Sequence, residues 1–302
     1  MMRGRCLALA ACALSGIVLA CAAPVAAQAC QTFSGLTYAT YTDRFGVLQD
    51  LKLELMVPAG APAPVPLVIY VHGGGWKSGS RLPIPARVSG FCSHGYAVAS
   101  LDYRLSTVAV WPAQLHDVKG AVRWLRANAA TYGLDPDRFA AWGESAGGHL
   151  AMLLGTTGGL GAVTVGNLTL DLEGTTGGVP AVSSRVQAVI DGYGATDFLQ
   201  MRFYPTTGNH DASTSDESRL LGGAIHTLPE RAATANPVTW VSPDDPPFLV
   251  LHGTVDKINP FNQAQLLVEA LRAAGVPVTF RPVLNAAHGG IAFESAAVLQ
   301  AM

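Results

Sequence analysis

The sequence predicts an α/β fold, with a mostly parallel central sheet and helices on both faces. Short apolar runs alternate along the chain with segments of helical character, and several of these runs read as strands buried on both faces. No internal repeat, heptad run or charge block interrupts this pattern, so we expect one large domain over residues 30–302. The predicted strands lie near residues 47–57, 66–71, 96–102, 138–142, 186–191, 247–252 and 277–284.

The first motif is a run of three glycines directly after the predicted strand at 66–71. Glycines at such a point let several backbone N–H groups face one spot, which a residue with a Cβ atom would obstruct. The tetrahedral intermediate of an acyl transfer needs such donors for its oxyanion. We assign this role to the N–H groups of Gly73 and Gly74, with the N–H of Ala146 as the third donor.

This glycine run has two other interpretations. An ordinary glycine-rich turn stays open as an alternative. A phosphate-binding loop is suggested by Lys77 and Ser78, which follow the glycines, but Trp76 stands where that motif requires glycine. We therefore set the phosphate loop aside.

The segment from about Pro112 to Tyr132 has the pattern of an amphipathic helix. Its apolar side chains form one stripe, and its basic side chains lie largely on the opposite face. The stripe consists of Leu115, Val118, Val122 and Leu125, and the basic residues are Lys119, Arg123 and Arg126. We expect the stripe to be core packing and not a cofactor site.

The pentapeptide Gly143–Gly147 is a Gly-x-Ser-x-Gly match with a β-prone run before it and a helix-forming run after it. Small residues allow a sharp strand-to-helix turn that exposes the serine oxygen. A serine hydroxyl is a poor nucleophile unless it is exposed and activated in this way. The motif indicates Ser145 as a nucleophile. Because such pentapeptides also occur by chance, the other parts of the site must be found elsewhere in the chain.

An acid and a base are expected after the serine, in that order and each in a loop after a strand. Asp256 follows the predicted strand at 247–252, and His288 follows the predicted strand at 277–284. We predict that His288 accepts the proton of Ser145 as the general base. Asp256 would hold the imidazole in the required tautomer and stabilise its charged form.

A helix is predicted between Asp256 and the last strand. Asn259 is its candidate N-cap and Pro260 suits its first position, while Gly275 is expected to end it. Its apolar positions Leu267, Val268 and Leu271 share one face.

Other acidic and histidine side chains are rivals for these roles. Glu144 precedes the serine but points elsewhere on such a turn, so we interpret it as support for the site, with a direct role as the alternative. Asp102 is interpreted as a structural partner of Arg104. His252, at the end of a predicted strand, is interpreted as a packed structural histidine.

Two irregular stretches, 158–185 and 199–235, are candidates for a small lid or rim, with plain surface loops as the equal alternative. Within the second stretch, residues 216–221 are helix-like. Trp76 and Tyr193 are the candidate substrate-binding residues, because each follows a strand that ends at the expected catalytic edge.

Five segments, in this order and at suitable distances, resemble an α/β-hydrolase of the hormone-sensitive-lipase-like esterase group. They are His72–Trp76, Asp102–Ser106, Trp111–His149, His252–Asp256 and Ala286–Gly290. Within that group, the segments Trp111–Lys119, Leu134–Arg138 and Ser145–Leu150 are most similar to the bacterial acetylxylan and feruloyl esterase-like branch. The likeness covers about residues 45–295 and implies the same three catalytic residues and the same oxyanion donors.

The chain departs from the resembled family in two ways. Asn259 stands where relatives commonly have valine, which affects the wall near Asp256. No long N-terminal helical cap precedes the glycine run, so we expect little or no N-terminal cap and an open site that admits bulky or polymeric substrates.

Residues 1–29 are predicted to be a secretory signal peptide. Arg3 and Arg5 precede an apolar run over residues 7–20, and the small residues at 27–29 form a cleavage site. The run is short for a membrane span, so we expect no stable membrane insertion. A lipoprotein anchored at Cys21 is a further alternative. The mature protein is therefore expected in the periplasm or outside the cell.

Cleavage after Ala29 has consequences for the cysteines and for charge. Only Cys30 and Cys92 of the five cysteines remain, and we predict that they form a disulfide in an oxidising compartment, with two free thiols as the alternative. Loss of Arg3 and Arg5 leaves 17 of the 19 basic residues against 21 acidic ones, a net charge of −4. This balance argues against nucleic acid as a partner.

The sequence thus predicts an exported serine carboxylic-ester hydrolase that forms an acyl-enzyme from short-chain or aromatic acyl esters. Acetylated or feruloylated plant polysaccharide and small-molecule esters are the candidate substrates. No cofactor and no metal are predicted, because no cluster has zinc-like spacing. An amidase, peptidase or aryl formamidase with the same triad is the alternative, and a non-catalytic binding protein on this fold is a further one. Acyl-chain length and oligomeric state stay open.

Overall fold

The computed structural model of the chain describes residues 29–295 together with residues 298 and 300. The predicted signal peptide lies outside the described residues except for Ala29. The strands are β1 Cys30–Thr42, β2 Leu48–Pro58, β3 Val65–Val71, β4 Ala97–Leu101, β5 Leu134–Glu144, β6 Ala162–Val165, β7 Leu168–Asp171, β8 Ala188–Gly192, β9 Phe248–Gly253 and β10 Val278–Val283.

The α-helices are α1 Ala86–Ser89, α2 Ala113–Ala127, α3 Ala129–Tyr132, α4 Ala146–Thr156, α5 Phe198–Met201, α6 Asp216–Leu221, α7 Pro229–Ala235 and α8 Asn262–Ala273. Short 3₁₀ helices occupy Gly90–His94, Ile225–Thr227, Pro237–Trp240 and Ile291–Glu294.

Eight strands form one sheet in the order β1-β2-β4-β3-β5-β8-β9-β10. The six strands from β4 to β10 in this order run parallel, and β1 and β2 join antiparallel at one edge. The mostly parallel sheet predicted from the sequence is confirmed. In such a sheet the carboxyl ends of the strands meet at one edge, where ligands of open α/β sheets bind.

Apolar side chains pack on both faces of the sheet. The larger core lies against α2, α4 and α8, and the smaller core lies around Trp142 and Cys92 on the other face. The apolar stripe predicted for α2 is fully buried, which confirms its role in packing.

The basic side chains of α2 are a correction to the sequence-based expectation, because Lys119 and Arg123 are fully buried as well. Both reach Glu173, with Lys119 Nζ 2.9 Å from Oε2 and Arg123 Nη1 2.5 Å from Oε1. Burial lowers the pKa of Lys119, and the charge of Glu173 opposes that change. These charges lie inside the protein because the segment after β7 covers that face of the helix.

The stretch 158–185 contains the hairpin β6–β7 and is not irregular throughout, as the sequence had suggested. Glu230 of α7 accepts a hydrogen bond from the N–H of Asn167 at the hairpin turn, at 2.9 Å. Together with the contacts of Glu173, this places the stretch against α2 and α7.

The start of α8 also differs from the prediction. The helix begins at Asn262, and Asn259 is not its cap. The side-chain amide of Asn259 instead donates to the carbonyl of Tyr193 at 2.8 Å, so it ties the loop after β9 to the end of β8. Gly275 follows the helix with φ +78°, as expected for a helix end.

The predicted disulfide between Cys30 and Cys92 is confirmed. Their Cα atoms are 6.2 Å apart, and the bond joins the first residue of β1 to the 3₁₀ helix Gly90–His94. In the part of the chain that the structure describes, no helix combines the length and the apolar character that a membrane span needs.

Candidate active site

Ser145 lies in the turn between β5 and α4, with φ 55° and ψ −121°. A positive φ is strained for a residue that carries a Cβ atom, and such strain is typical of functional turns. The neighbouring glycines make the turn possible. A Cβ atom on Gly143 would lie 2.0 Å from the carbonyl oxygen of Gly147, and one on Gly147 would lie 2.0 Å from that of Val71.

The structure brings the three predicted triad residues together at the carboxyl edge of the sheet. The Oγ atom of Ser145 is 2.7 Å from Nε2 of His288, and Nδ1 of His288 is 2.7 Å from Oδ2 of Asp256. Asp256 follows β9 and His288 follows β10, which is the parallel neighbour of β9. The sheet itself therefore sets the distance between the acid and the imidazole.

The loop after β9 holds the Asp256 carboxylate in its ionised form. Oδ1 accepts hydrogen bonds from the N–H groups of Ile258 and Asn259, at 2.8 and 3.1 Å. Burial acts to raise the pKa of this carboxyl, but hydrogen bonds from His252 and His288 outweigh it and lower the pKa to about 2. Asp256 therefore carries a negative charge at neutral pH, as a residue that stabilises an imidazolium must.

Tyr193 packs against the imidazole of the site. Its ring meets that of His288 edge to face, with centroids 4.8 Å apart, and meets Phe293 at 4.7 Å. A Cβ atom on Gly289 would lie 2.9 Å from the hydroxyl of Tyr193, so the chain beside His288 approaches this ring closely. The side chain is 7% exposed. Its predicted contact with substrate stays a prediction, whereas its contact with His288 is observed.

Trp76 lies under the glycine loop and is 3% exposed. Its indole N–H donates to Nδ1 of His149 at 3.2 Å, and its ring packs edge to face on Phe198. Most of its surface is thus used in the core. Its predicted role in substrate binding stays a prediction.

The glycine loop lies directly beside the nucleophile. A Cβ atom on Gly73 would lie 2.8 Å from the carbonyl oxygen of Glu144 and 3.4 Å from Cβ of Ser145, and Gly74 has φ +115°. In the described part of the chain, the N–H groups of Gly73 and Gly74 donate to no protein acceptor. Ala146 is the first residue of α4, so its N–H has no acceptor within the helix. The three predicted oxyanion donors are therefore free to bind a ligand oxygen.

In the described residues, the carboxylate of Glu144 has no hydrogen bond to a triad residue, which agrees with its interpretation as support. Its carboxylate forms a two-point ion pair with Arg87, in which Nε lies 2.8 Å from Oε1 and Nη2 contacts Oε2. The hydroxyl of Tyr70 donates to Oε2 at 3.3 Å. Arg87 also pairs with Glu294 at 3.0 Å. The role of Arg87 is not predicted from the sequence, because nothing in its surroundings forms a recognisable motif.

The predicted pairing of Asp102 with Arg104 is wrong. Asp102 accepts from the backbone N–H of Arg81 at 2.8 Å and from its guanidinium at 2.7 Å. Arg104 turns instead toward α2, where Asp117 is fully buried, and the shortest contact of that ion pair is 2.6 Å.

The stretch 199–235 contacts two of the loops that carry the site. The N–H of Thr207 donates to the carbonyl of Lys257 at 2.7 Å, next to the acid, and Asp216 pairs with Lys77 beside the glycine loop at 2.6 Å. A cavity of about 320 Å³ lies along this stretch and is lined by residues 207–210, 212, 214–217 and Ile258. Most of its lining residues have polar side chains, and this part of the stretch forms a rim between the glycine loop and the loop after β9.

The sequence matches the BD-FAE family over residues 53–271, which is more than half of the chain. The chain belongs to the BD-FAE family. The esterase LipC of Mycobacterium tuberculosis is 33% identical over 236 residues, which cover 75% of this chain and 53% of LipC. This BD-FAE chain therefore spans about half the length of the curated relatives it matches.

Solved structures agree with this family assignment. A truncated carbohydrate esterase from gut microbiota is 29% identical with a TM-score of 0.81, over 91% of this chain and 94% of that one. The acetyl ester-xyloside bifunctional hydrolase of Caldicellulosiruptor lactoaceticus is 25% identical with a TM-score of 0.66, over 83% of this chain and 84% of that one. The predicted α/β-hydrolase fold is confirmed for this BD-FAE member.

Proposed function

We propose that the protein is an exported serine carboxylic-ester hydrolase that removes short-chain or aromatic acyl groups from carbohydrate. The single observation that carries the proposal is the unbroken chain of contacts from Ser145 through His288 to Asp256, each link 2.7 Å long. The glycine loop beside Ser145 supplies the donors that an acyl transfer requires.

The first half of the reaction forms an acyl-enzyme. As Oγ of Ser145 attacks the ester carbonyl, its proton passes to Nε2 of His288. The carbonyl oxygen becomes an oxyanion that accepts hydrogen bonds from the N–H groups of Gly73, Gly74 and Ala146. When the intermediate collapses, the bond to the alcohol breaks and His288 returns the proton to the leaving oxygen.

The second half releases the acid. His288 takes a proton from a water molecule, whose oxygen attacks the acyl carbonyl. A second oxyanion forms and accepts hydrogen bonds from the same three N–H groups. Collapse of this intermediate breaks the bond to Ser145 Oγ, which recovers its proton from His288. Asp256 stays ionised throughout and stabilises the imidazolium that forms in each half.

The surroundings of the site support a carbohydrate ester as substrate. The rim formed by residues 207–217 is rich in hydroxyl, amide and carboxylate groups, which suit the hydroxyls of a sugar. In the described part of the chain, only the strands β1, β2 and β3 precede the glycine loop, so no helical cap stands before it. The carbohydrate esterase and the acetyl ester-xyloside hydrolase that share this fold support the same substrate class.

The disulfide supports export. Disulfides persist in oxidising compartments and are rare in the cytosol, and Cys30 and Cys92 are paired here. This agrees with the signal peptide that the first 29 residues predict.

A substrate panel tests the proposal. Acetylated xylan, methyl ferulate, p-nitrophenyl esters of increasing chain length and one matched ester and amide pair would be assayed with the wild type. We expect hydrolysis of acetyl or feruloyl esters at least ten times faster than that of the amide, where tenfold corresponds to about 1.4 kcal/mol in the barrier. Equal or faster cleavage of the amide would favour the amidase alternative.

A further inference from the structure

A second histidine lies behind the catalytic acid. His252 is the fifth residue of β9 and is fully buried. Its Nε2 atom is 2.8 Å from the carbonyl oxygen of Asn259 and 3.4 Å from Oδ2 of Asp256. Oδ2 is the same oxygen that His288 contacts at 2.7 Å, so two imidazoles face one carboxylate oxygen from different sides.

The two neighbours of His252 fix the position of a proton. Both are oxygen acceptors, and a bare ring nitrogen would be repelled by them, so Nε2 of His252 must carry the hydrogen. It then donates to the carbonyl of Asn259 at 2.8 Å, and Oδ2 of Asp256 is the second, more distant oxygen beside the same nitrogen, at 3.4 Å. Since the N–H of Asn259 donates to Oδ1, the residues 252, 256 and 259 form a closed ring of contacts around the carboxylate.

The environment of His252 is otherwise costly for the fold. In the described residues, its Nδ1 atom and Oδ2 of Asp191 are both buried without a hydrogen-bond partner. Asp191 pairs with Val250 in the parallel ladder, and His252 lies two residues further on the same face of the sheet. Burial raises the pKa of Asp191 to about 6, and the neighbouring imidazole of His252 opposes that rise. An apolar residue at 252 would avoid the orphaned nitrogen, so packing alone does not account for a histidine here.

We propose that His252 is a positioning residue for acyl transfer, whose Nε2–H holds the Asp256 carboxylate at the angle at which Oδ2 orients His288. The inference rests on the proposed esterase function. Without this donor, Oδ1 would remain fixed by the two loop N–H groups while Oδ2 would have His288 as its remaining donor. The carboxylate could then turn about its Cβ–Cγ bond, and the imidazole would turn with it.

Three substitutions separate this role from packing. In His252→Leu the donor is lost, and we expect kcat to fall roughly 10-fold to 100-fold with KM unchanged, as for other groups that orient a reacting side chain. In His252→Gln the amide nitrogen occupies the place of Nε2, so most of kcat should return. In His252→Asn a similar amide is one bond shorter, its nitrogen occupies the place of Nδ1, and kcat should stay low.

The pH profile gives a readout that a purely structural role would not move. Removal of the His252 donor leaves more negative charge on Oδ2 for His288, so the acid limb of kcat/KM should move to higher pH in the Leu variant. Asp191, Asp256 and Tyr193 are the titratable groups that face these two imidazoles. Because Asp191 has a pKa of about 6, the shift must also appear in an Asp191→Asn background.

Leu271→Ala is the matched control. Leu271 is fully buried on α8 and its truncation should cost about 2 to 5 kcal/mol of stability, while the acid limb and kcat of the folded protein stay unchanged. Wild-type kcat and an unmoved acid limb in His252→Leu would overturn the inference, as would equal kcat in the Gln and Asn variants if the Leu variant does not fold. If the wild type hydrolyses no ester at all, the proposed function falls first and this inference with it.

Discussion

At the scale of single residues, the strained backbone of Ser145 and its contact with His288 make one oxygen reactive. We expect Ser145→Ala to lower kcat by roughly 10⁴-fold to 10⁶-fold on p-nitrophenyl acetate, because the nucleophile is lost while the oxyanion donors remain. Steady-state kinetics of the purified protein would measure the loss. The melting temperature serves as the folding control. Wild-type turnover in this variant, or a serine-directed phosphonate that labels another residue, would reject the assignment.

Asp256 also makes the free energy of unfolding depend on pH in the acid range. Its pKa is about 2 in the folded chain and about 3.9 in an unfolded one, so its ionised form stabilises the fold above about pH 4. That contribution, about 2 kcal/mol, is lost as the pH falls from about 4 through about 2. Urea unfolding of the wild type and of Asp256→Asn would measure it. The difference between their free energies of unfolding should shrink over that range, and a constant difference would contradict the prediction.

At the scale of elements, Arg87 joins three pieces of the chain around the nucleophile. Arg87 in α1 forms one ion pair with Glu144 at the end of β5 and another with Glu294 in the 3₁₀ helix after His288. In Arg87→Met the carboxylate of Glu144 stays buried without its partner, and we expect the free energy of unfolding to fall by about 3 to 5 kcal/mol. Chemical denaturation would measure this loss.

Two comparisons make the Arg87 result interpretable. The double variant Arg87→Met with Glu144→Gln should recover part of the loss, because it removes the unpaired charge. Arg138→Met breaks an ion pair with Asp135 in which the arginine is 57% exposed, so it should cost less than about 1 kcal/mol. If Arg87→Met is as mild as Arg138→Met, the ion pair does not hold these elements together.

The elements that the sequence predicted share a physical cause. Strands β3 and β9 are short apolar runs buried on both faces, and the turns that follow them need glycine or a catalytic side chain. Both features are visible in a short stretch of sequence, so these strands and turns can be predicted from local patterns. In β1 the burial does not alternate regularly, and its pairing with β2 shifts register near Gly35. The hairpin β6–β7 was missed for another reason. Its strands have four residues each, although the Gly166–Asn167 turn is a recognised hairpin signal.

In the site, too, the residues within short motifs could be predicted from the sequence, and the contacts between separate elements could not. Ser145, Asp256 and His288 could be predicted because each lies in a short motif at the end of a strand. Arg87 and the contact of His252 with Asp256 could not, because they arise only when separate elements pack together. Asn259 illustrates the limit, since its sequence context favours a helix cap and its side chain instead joins two loops.

At the scale of the whole molecule, the disulfide and the catalytic residues lie at opposite ends of the parallel strands. Cys30 pairs with Pro58 at the end of β2, and β2 runs antiparallel to β4, so the disulfide lies near the amino ends of the parallel strands. The triad lies at their carboxyl ends. The bond also fastens β1, which in the described residues pairs with β2 alone and forms an edge of the sheet.

This separation predicts that the disulfide acts on stability and not on turnover. The bond closes a segment of 62 residues, so its loss in a Cys30→Ala, Cys92→Ala double variant should lower the free energy of unfolding by about 4 kcal/mol. Urea denaturation with and without dithiothreitol would measure it, and the double variant should not respond to the reductant. The kcat of the folded variant should equal that of the wild type, because β2 and β4 keep their pairing without the bond. A fall in kcat at temperatures where the variant is fully folded would show instead that the disulfide helps to hold the helix of Arg87, and through Glu144 the nucleophile turn, in place.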